Sequence, residues 1–378
     1  MNAPAPVLAT PLPTTHRVKV PVDRVTVSAY TIPTDLQPES DGTAVWKSTT
    51  LVLVEIDAGG KRGMGWTYES AAAAKLIEEQ LADIVRGENA LDTRAIWQRL
   101  TGAVRNTGRS GLASYAIAAL DIALWDLRAR LYDVALCDLM GLVREDVPIY
   151  GSGGFTSYDI PTLQAQLAGW AGAGIRAVKM KVGREHEADP VRVAAARKAI
   201  GPDCHLFVDG NGGYDVAEAI SIARRFAESD VTWFEQPVDH NDLDGTRRVR
   251  EHAPPGMAIS SGEYITDTSR AAPVAEVVDV LQADASRCGG YTGFLAIDGY
   301  CDVIRKPLSS HCGPMLHLHV AAASLRLRHM EYFHDHVRIE KMLFDGFIEP
   351  QNGMLRPDRG RPGHGLAFRH ADAQPYAL

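Results

Sequence analysis

Three carboxylates stand at the polar ends of short apolar segments, and their spacing is regular. Asp209 ends LFVD, Glu235 ends WFE and Glu263 ends AISSGE, at intervals of 26 and 28 residues. Such intervals are typical of consecutive strands in a parallel α/β barrel, whose carboxyl ends meet at one rim. An all-oxygen ligand set suits a hard cation such as Mg²⁺ better than zinc. The spacing therefore predicts a magnesium site on the rim of a barrel.

Further ionisable residues continue the same register. Lys181 ends VKMK 28 residues before Asp209, Asp284 ends DVLQAD, His311 ends PLSSH, and Glu331 follows LRLRHM. In α/β barrels the functional groups lie at the carboxyl ends of the strands. We therefore expect these side chains to share one site with the three carboxylates.

Lys181 and His311 are the two candidate general bases. Lys181 lies two residues after Lys179 on one strand, so both lysines are expected to face the barrel interior. A second cation nearby is expected to lower the pKa of Lys181, which makes a neutral amine available. His311 is the other candidate base. Asp284 is expected to accept a hydrogen bond from the second ring nitrogen of His311.

Two other residues are candidates for holding the substrate. Glu331 is expected to lie opposite the metal and to be protonated, so that it donates a hydrogen bond to a substrate oxyanion. Asn211, two residues after Asp209, could orient a ligand. A structural interpretation is favoured for four other histidines, namely His317, His319, His334 and His336.

From residue 147 the chain alternates between strand-like and amphipathic segments at steps of 20–31 residues. This alternation predicts an α/β fold with a parallel barrel over residues 141–346. The strand-like segments are VPIYG, AVKMKV, HLFVDG, TWFEQ, AISSG, DVLQAD, KPLSSH and RHMEYF.

The chain before the barrel has a different pattern. Residues 18–68 predict an antiparallel meander, and residues 70–131 predict helices, so 17–140 is expected to form an α+β capping domain. The Gly- and Pro-rich residues 347–378 are expected to complete it, whereas residues 1–16 are expected to be a flexible extension.

Two features of the predicted capping domain have more than one interpretation. Segment 31–46 is too long for a tight hairpin, and it is either a flap over the substrate or a solvated excursion. Asp121 and Asp126 lie on the last predicted helix and could be ligands. The favoured interpretation for both acids is that they lie on the helix surface or make hydrogen bonds between the domains.

Composition excludes several classes of protein. The 378 residues carry a net charge of −8 with no basic stripe, which argues against nucleic-acid binding. No apolar run approaches the roughly 18 residues that span a bilayer. Five cysteines without a CxxC pair predict reduced thiols in the cytoplasm. The expected partner is a small-molecule carboxylate substrate, and the chain is expected to be a homo-oligomer.

The motifs KMK, VDGN, FEQP, SGE, QAD and SSH and the late Glu331, in this order, resemble the mandelate racemase subgroup of the enolase superfamily. The resemblance covers the chain from residue 18 onward. It implies a modified TIM barrel, (β/α)7β, an α+β cap made from both termini, and one Mg²⁺ per site. The implied roles are metal ligands for Asp209, Glu235 and Glu263, acid/base catalysts for Lys181 and the His311–Asp284 pair, a carboxylate-side lysine for Lys179, and an electrophilic acid for Glu331.

The resemblance also implies the chemistry, namely Mg²⁺-dependent abstraction of the proton next to a substrate carboxylate through a stabilised enediolate. Dehydration of an acid sugar to a 2-keto-3-deoxy acid is preferred, because this activity is the commoner one in the subgroup and segment 31–46 is polar. Racemisation or epimerisation of a 2-hydroxy acid is the alternative. Asp284 stands where muconate-lactonising and dipeptide-epimerising relatives carry a lysine, which argues against those activities. A non-catalytic binding barrel is a third hypothesis. It predicts that some residues of the ring are lost, but all of them are present.

Overall fold

A parallel barrel and an antiparallel cap make up the computed structural model of the protein, which describes residues 18–36 and 38–378. The predicted extension at residues 1–16 lies outside the described residues. Within them, no helix is both long enough and apolar enough to cross a membrane.

The cap begins with a three-stranded antiparallel sheet. Its central strand pairs with both neighbours, with Val54 opposite Val27 on one side and Leu53 opposite Trp66 on the other. These antiparallel pairings confirm the predicted meander, and the middle of the central strand is buried on both faces. The strands of this region are β1 (Val22–Pro33), β2 (Glu39–Ser40), β3 (Val45–Trp46), β4 (Ser48–Ala58) and β5 (Lys61–Tyr68), of which β2 and β3 form a separate short pair.

Helices cover the inner face of this sheet. They are α1 (Ala72–Leu76), α2 (Ala82–Val85), α3 (Thr93–Ala103), α4 (Leu112–Tyr132) and α5 (Leu136–Met140), and a π-helical turn at Ile77–Leu81 joins the first two. Helix α4 is buried over most of its length because it lies between the sheet and the barrel. A Cβ atom on Gly63 or Gly65 would overlap the backbone of α4, so these glycines allow the close approach of strand and helix.

The barrel has eight parallel strands joined by seven helices. Each strand pairs with the next, and the ring closes between the last and the first, where Glu331 lies opposite Tyr150. This is the predicted (β/α)7β architecture. The strands are β6 (Val147–Gly153), β7 (Ala177–Lys181), β8 (His205–Asp209), β9 (Val231–Glu235), β10 (Ala258–Ser261), β11 (Val280–Ala283), β12 (Leu308–Ser310) and β13 (Leu327–Phe333). The intervening helices are α6 (Ile160–Gly172), α7 (Asp189–Ile200), α8 (Val216–Ala227), α9 (Leu243–His252), α10 (Ala271–Val277), α11 (Gly290–Val303) and α12 (Pro314–Ala323).

The remaining chain returns to the cap. It contains α13 (His334–Leu343), β14 (Phe344–Asp345), β15 (Met354–Leu355), β16 (Ala367–Phe368) and α14 (His370–Ala373). Strand β15 pairs with β6 at the amino-terminal end of the barrel. At the end of the chain, the backbone N–H of Leu378 donates to the carbonyl of Ala29 in β1.

Two buried aspartates of α4 connect this helix to other parts of the chain, and Asp121 does so between the cap and the barrel, as the interdomain interpretation predicts for it. Asp121 accepts hydrogen bonds from the backbone N–H and the hydroxyl of Thr292, at the start of barrel helix α11. Asp126 accepts from the backbone N–H groups of Met64 and His364 and from the guanidinium of Arg130. Asp126 therefore joins strand β5, helix α4 and the carboxyl-terminal segment at one point.

We expect Asp126→Asn to lower the free energy of unfolding by about 3 kcal/mol, the usual loss when one partner of a buried ion pair is removed. Burial would raise the pKa of Asp126, but His364 and Arg130 outweigh it and lower the pKa to about 2. The loss should therefore be complete above pH 3.8 and should shrink as the pH falls towards 2. Urea unfolding followed by circular dichroism at several pH values measures it.

The matched control is Asp83→Asn, because Asp83 pairs with Arg86 on the exposed surface of the cap. An exposed pair contributes about 0–1 kcal/mol, so this variant should unfold almost as the wild type does. Equal stability of Asp126→Asn and the wild type at neutral pH would contradict the structural role of Asp126.

Candidate active site

Every residue of the predicted ring lies at the carboxyl end of the barrel and is buried. Lys181, Asp209 and Glu235 are the last residues of β7, β8 and β9, and the register places Asp209 opposite both of the others. Glu263, Asp284 and His311 follow β10, β11 and β12 within two residues of each strand end, Glu331 lies within β13, and Lys179 lies two residues before Lys181. The barrel therefore brings together the residues that the sequence analysis selected.

The two lysines lie between carboxylates on neighbouring strands. Lys179 Nζ donates to Glu235 Oε1 at 2.7 Å and lies 2.9 Å from Glu331 Oε1. Lys181 Nζ donates to Asp209 Oδ2 at 2.5 Å. Because strand alternation points both lysines inward, two cations and three carboxylates form one buried network.

A second charged group lies on the other side of the ring. His311 Nδ1 is 2.8 Å from Asp284 Oδ2, which confirms the predicted pair. His311 Nε2 is 2.7 Å from Glu263 Oε2. Asp284 also accepts from the backbone N–H and the hydroxyl of Ser286. The imidazole is therefore held in one orientation from two sides.

The expectation of a lowered pKa for Lys181 is wrong. Burial lowers the pKa of this amine, but the adjacent carboxylate of Asp209 outweighs burial and raises it above its ordinary value. His311 behaves in the same way, because Cys312 and Glu263 raise its pKa against the effect of burial. Both candidate bases are therefore cations in this charge network.

The expectation of a protonated Glu331 is also wrong. Burial would raise the pKa of this carboxyl, but Lys179 and His311 lower it well below its ordinary value. Ser152 Oγ donates to Glu331 Oε1 at 2.5 Å, and the backbone N–H of Cys312 donates to Oε2 at 2.8 Å. Donors surround this carboxylate, so its charged form is the stable one.

Sequence reasoning missed several residues that hold the ring in place. Ser152 and Cys312 bind Glu331, and the Trp233 indole N–H donates to Glu235 Oε2 at 3.0 Å. The Arg287 guanidinium lies 3.5 Å from Asp284. Strand alternation could have selected Trp233, since it lies two residues before Glu235 on the same face. Nothing local to the sequence marks the other three.

The donor chemistry fits a hard divalent cation. Asp209, Glu235 and Glu263 are buried carboxylates, and burial together with the adjacent Asp209 raises the pKa of Glu235 to about 7. Asn211 adds a buried amide oxygen that has no hydrogen-bond partner. The three carboxylates do not form a group within 4.8 Å in the described chain, whereas His311, Cys312 and Glu331 do. Each of the three carboxylates instead lies against a lysine or a histidine.

Residues 41–44 of segment 31–46 pack on the rim of this site. Its backbone carbonyls at Asp41 and Ala44 accept hydrogen bonds from the Arg184 guanidinium. The Thr43 hydroxyl donates to the carbonyl oxygen of Asn211 at 3.2 Å. A polar part of the cap therefore lies directly beside the ends of β7 and β8.

Three of the other histidines have structural contacts, as predicted. His317 Nε2 accepts from the backbone N–H of Ala285, His319 Nδ1 from that of Cys137, and His336 Nδ1 from that of Gly313. Burial lowers the pKa of all three rings, so they are neutral acceptors.

The family of the chain follows from comparison with known proteins. Residues 24–141 match the mandelate racemase/muconate lactonizing enzyme N-terminal domain, and residues 162–373 match the enolase C-terminal domain-like family. The fold and the rim of charged residues define an α/β-barrel protein with a capping domain. The chain belongs to the mandelate racemase subgroup of the enolase superfamily.

Individual relatives are similar over nearly their whole length. A mandelate racemase/muconate lactonizing enzyme-like protein from Rubrobacter xylanophilus is 48% identical, with a TM-score of 0.93 over 95% of this chain and 100% of that one. The 3,6-anhydro-alpha-L-galactonate cycloisomerase of Streptomyces coelicolor is 31% identical over 92% of this chain and 97% of its own.

A third relative is the L-talarate/galactarate dehydratase of Salmonella typhimurium, which is 31% identical over 84% of this chain and 80% of its own. Its structure liganded with Mg and L-lyxarohydroxamate has a TM-score of 0.89 at 27% identity, over 100% of this chain and 97% of that one.

We expect Gly42→Ala to displace segment 31–46 from the barrel. A Cβ atom at residue 42 would overlap the carbonyl oxygens of Gly210 and Val182, which are backbone atoms that cannot rotate away. Trypsin should then cleave after Lys47 at least several times faster than in the wild type. Gly102→Ala is the matched control, because its Cβ would meet open space. Unchanged cleavage in Gly42→Ala would contradict close packing of the segment.

Proposed function

We propose that this protein removes the proton next to the carboxylate of an acid sugar and then eliminates water, giving a 2-keto-3-deoxy acid. The observation that carries the proposal is the buried ring, with Lys181 on β7 and the His311–Asp284 pair after β11 and β12 on the other side of the carboxylates. The similarity to the L-talarate/galactarate dehydratase and to the cycloisomerase supports an acid-sugar substrate.

Asp209, Glu235 and Glu263 are the proposed ligands of one Mg²⁺. When bound there, Mg²⁺ would supply positive charge that stabilises the negative charge developing on the substrate carboxylate. A Mg-liganded structure of a relative supports this assignment.

Side chains of the protein stabilise the rest of the negative charge that develops on the substrate. A proton next to a carboxylate is very weakly acidic, so its removal requires stabilisation of the resulting enediolate. Lys179 is fully buried and permanently positive in this network, which suits it to bind a substrate carboxylate oxygen. We propose that Glu331 acts on the same oxygens indirectly. It positions Lys179, whose Nζ atom lies 2.9 Å from Glu331 Oε1. Asn211 is assigned to substrate binding, because its amide oxygen is buried and unpaired.

Proton transfer is assigned to the two groups at the sides of the ring. Asp209 keeps Lys181 protonated, so Lys181 can act as a base only once the Asp209 carboxylate is engaged by the metal; its neutral amine would then take the proton from the carbon next to the substrate carboxylate. The β carbon–oxygen bond then breaks, and the departing hydroxyl takes a proton from His311 and leaves as water. Asp284 stabilises the His311 imidazolium, which is the form that can donate this proton. The enol product then rearranges to the 2-keto acid.

Racemisation or epimerisation of a 2-hydroxy acid is the second candidate. The observation that favours it is the presence of a candidate base on each side of the carboxylates, Lys181 and His311. A group on each side can remove a proton from one face and return another to the opposite face. The polar contacts of segment 31–46 favour dehydration, because hydroxyl groups of a sugar acid require polar partners.

We also propose that the protein acts in the cytoplasm on a small carboxylate. Its five cysteines are buried and unpaired, which fits a reducing compartment. Assembly into a homo-oligomer remains a prediction from the sequence.

The experiment that tests the proposal is a substrate screen of the purified protein with Mg²⁺. Mono- and diacid sugars and 2-hydroxy acids are incubated separately, and 2-keto product and optical rotation are recorded for each. We expect keto product from an acid sugar and none after exhaustive chelation. Racemised substrate without keto product would select the second candidate. Turnover that survives chelation would contradict the metal assignment.

Lys181→Ala and His311→Asn should each lower kcat by about 10³-fold or more, since each removes a proton-transfer group. If Lys181 is the base, His311→Asn should still exchange the substrate proton in D₂O, whereas Lys181→Ala should not. Proton exchange is measured by NMR and turnover by keto-product formation.

Lys198→Ala and His252→Asn are the matched controls, because both residues lie on outer helices of the barrel. Their kcat should equal that of the wild type. Full activity in either Lys181→Ala or His311→Asn would refute the assignment of two proton-transfer groups.

A further inference from the structure

A second cluster of ionisable groups lies between the cap and the barrel, apart from the ring described above. Asp35 and Glu39 come from segment 31–46, whereas His334 and Asp335 begin helix α13. One ligand atom from each of the four side chains lies within 4.8 Å of all the others. Three carboxylates and one imidazole from distant parts of the chain therefore converge on one point.

The cluster contains buried oxygen atoms that have no partner. Glu39 is fully buried, and neither of its carboxylate oxygens accepts a hydrogen bond. Asp335 is 1% exposed, and its Oδ1 atom has no hydrogen bond either. The hydroxyl of Tyr158 is buried and unpaired, and burial together with the Glu39 carboxylate raises its pKa. Buried polar atoms without partners are rare in native proteins and indicate an additional ligand.

The nearby positive charge does not balance the acids. His334 Nε2 lies 2.9 Å from Asp35 Oδ2. Arg338 is 3.7 Å from Asp335 Oδ1, and its guanidinium donates to the carbonyl of Pro33. The other oxygen of Asp335 accepts from the Trp46 indole and the Thr49 hydroxyl. Glu39 faces Asp335 and Asp35 rather than a cation, and burial together with Asp335 raises its pKa to about 10.

We propose that Asp35, Glu39, His334 and Asp335 bind a second divalent cation, of the transition-metal class that includes Mn²⁺ and Zn²⁺. Three carboxylates with one imidazole favour such ions over Ca²⁺ or Mg²⁺, which take oxygen ligands almost exclusively. The side chains of Asp35 and His334 are 39% and 24% exposed, and they provide a path from solvent to the buried oxygens.

The position of the cluster defines what the cation does. Two of its ligands belong to the cap segment and two belong to the helix that follows β13, so a bound ion links the two domains at the rim of the barrel. Binding therefore holds segment 31–46 against the barrel. This role does not depend on which reaction the ring of buried charges performs.

Titration of metal-free protein with Mn²⁺ alone tests the proposal, with free Mn²⁺ measured by electron paramagnetic resonance. The wild type should bind two Mn²⁺ ions per chain, one at this cluster and one at the carboxylates of the ring. Glu39→Gln should bind one ion, and Glu235→Gln should also bind one. Bound Mn²⁺ should slow trypsin cleavage after Lys47 in the wild type and in Glu235→Gln, but not in Glu39→Gln.

Two further variants keep the test decisive. His334→Asn alters a partly exposed side chain, and it should weaken the second site at least tenfold even if Glu39→Gln fails to fold. Glu79→Gln, on the exposed surface of the cap, is the matched control and should bind two ions. A wild type that binds a single ion, lost in Glu235→Gln, would overturn the proposal. Two ions retained by folded Glu39→Gln or His334→Asn would overturn it as well.

Discussion

The charged side chains inside the barrel are stable there only as close pairs of opposite sign. Lys179 and Lys181 are buried between Asp209, Glu235 and Glu331, with contacts of 2.5 to 2.9 Å. Buried charges are tolerated only with close partners of opposite sign, and removal of one partner leaves another uncompensated. The strands must therefore place each lysine and the histidine beside an acid. A barrel with fixed register does this, because neighbouring strand ends lie side by side.

The capping domain is attached to the barrel and covers part of its rim. Helix α4 connects the cap sheet to the barrel through Asp121 and to the returning carboxyl-terminal segment through Asp126. This attachment places segment 31–46 over the ends of β7 and β8. Exclusion of water strengthens every electrostatic interaction in the site beneath. The cluster at Asp35, Glu39, His334 and Asp335 lies at the same junction, where a cation would link the two domains most directly.

The sequence predicted the architecture well because the relevant signals are periodic. All eight barrel strands were predicted from apolar segments that end in polar residues, and strand direction then placed Asp209, Glu235 and His311 on one rim. The charge states of Lys181 and Glu331 were predicted incorrectly. A pKa depends on distances between atoms of different strands, and these distances cannot be read from spacing along the chain. Contacts made by Ser152 and Cys312 are invisible for the same reason.

The buried cluster between the domains shows a further limit of the sequence. Asp35 and Glu39 belong to segment 31–46, for which the sequence leaves a flap and a solvated excursion open, and His334 is predicted to be structural. The sequence cannot show that they meet, because 299 residues separate Asp35 from His334. Only the tertiary fold makes them neighbours. The magnesium ligands and the two proton-transfer groups of the ring are tested most directly by a crystal structure of the protein grown with Mg²⁺ and a hydroxamate analogue of an acid sugar. The account predicts one ion at about 2.1 Å from oxygens of Asp209, Glu235 and Glu263, with Lys181 and His311 on opposite faces of the analogue. No ion at these three carboxylates, or both bases on one face, would contradict it.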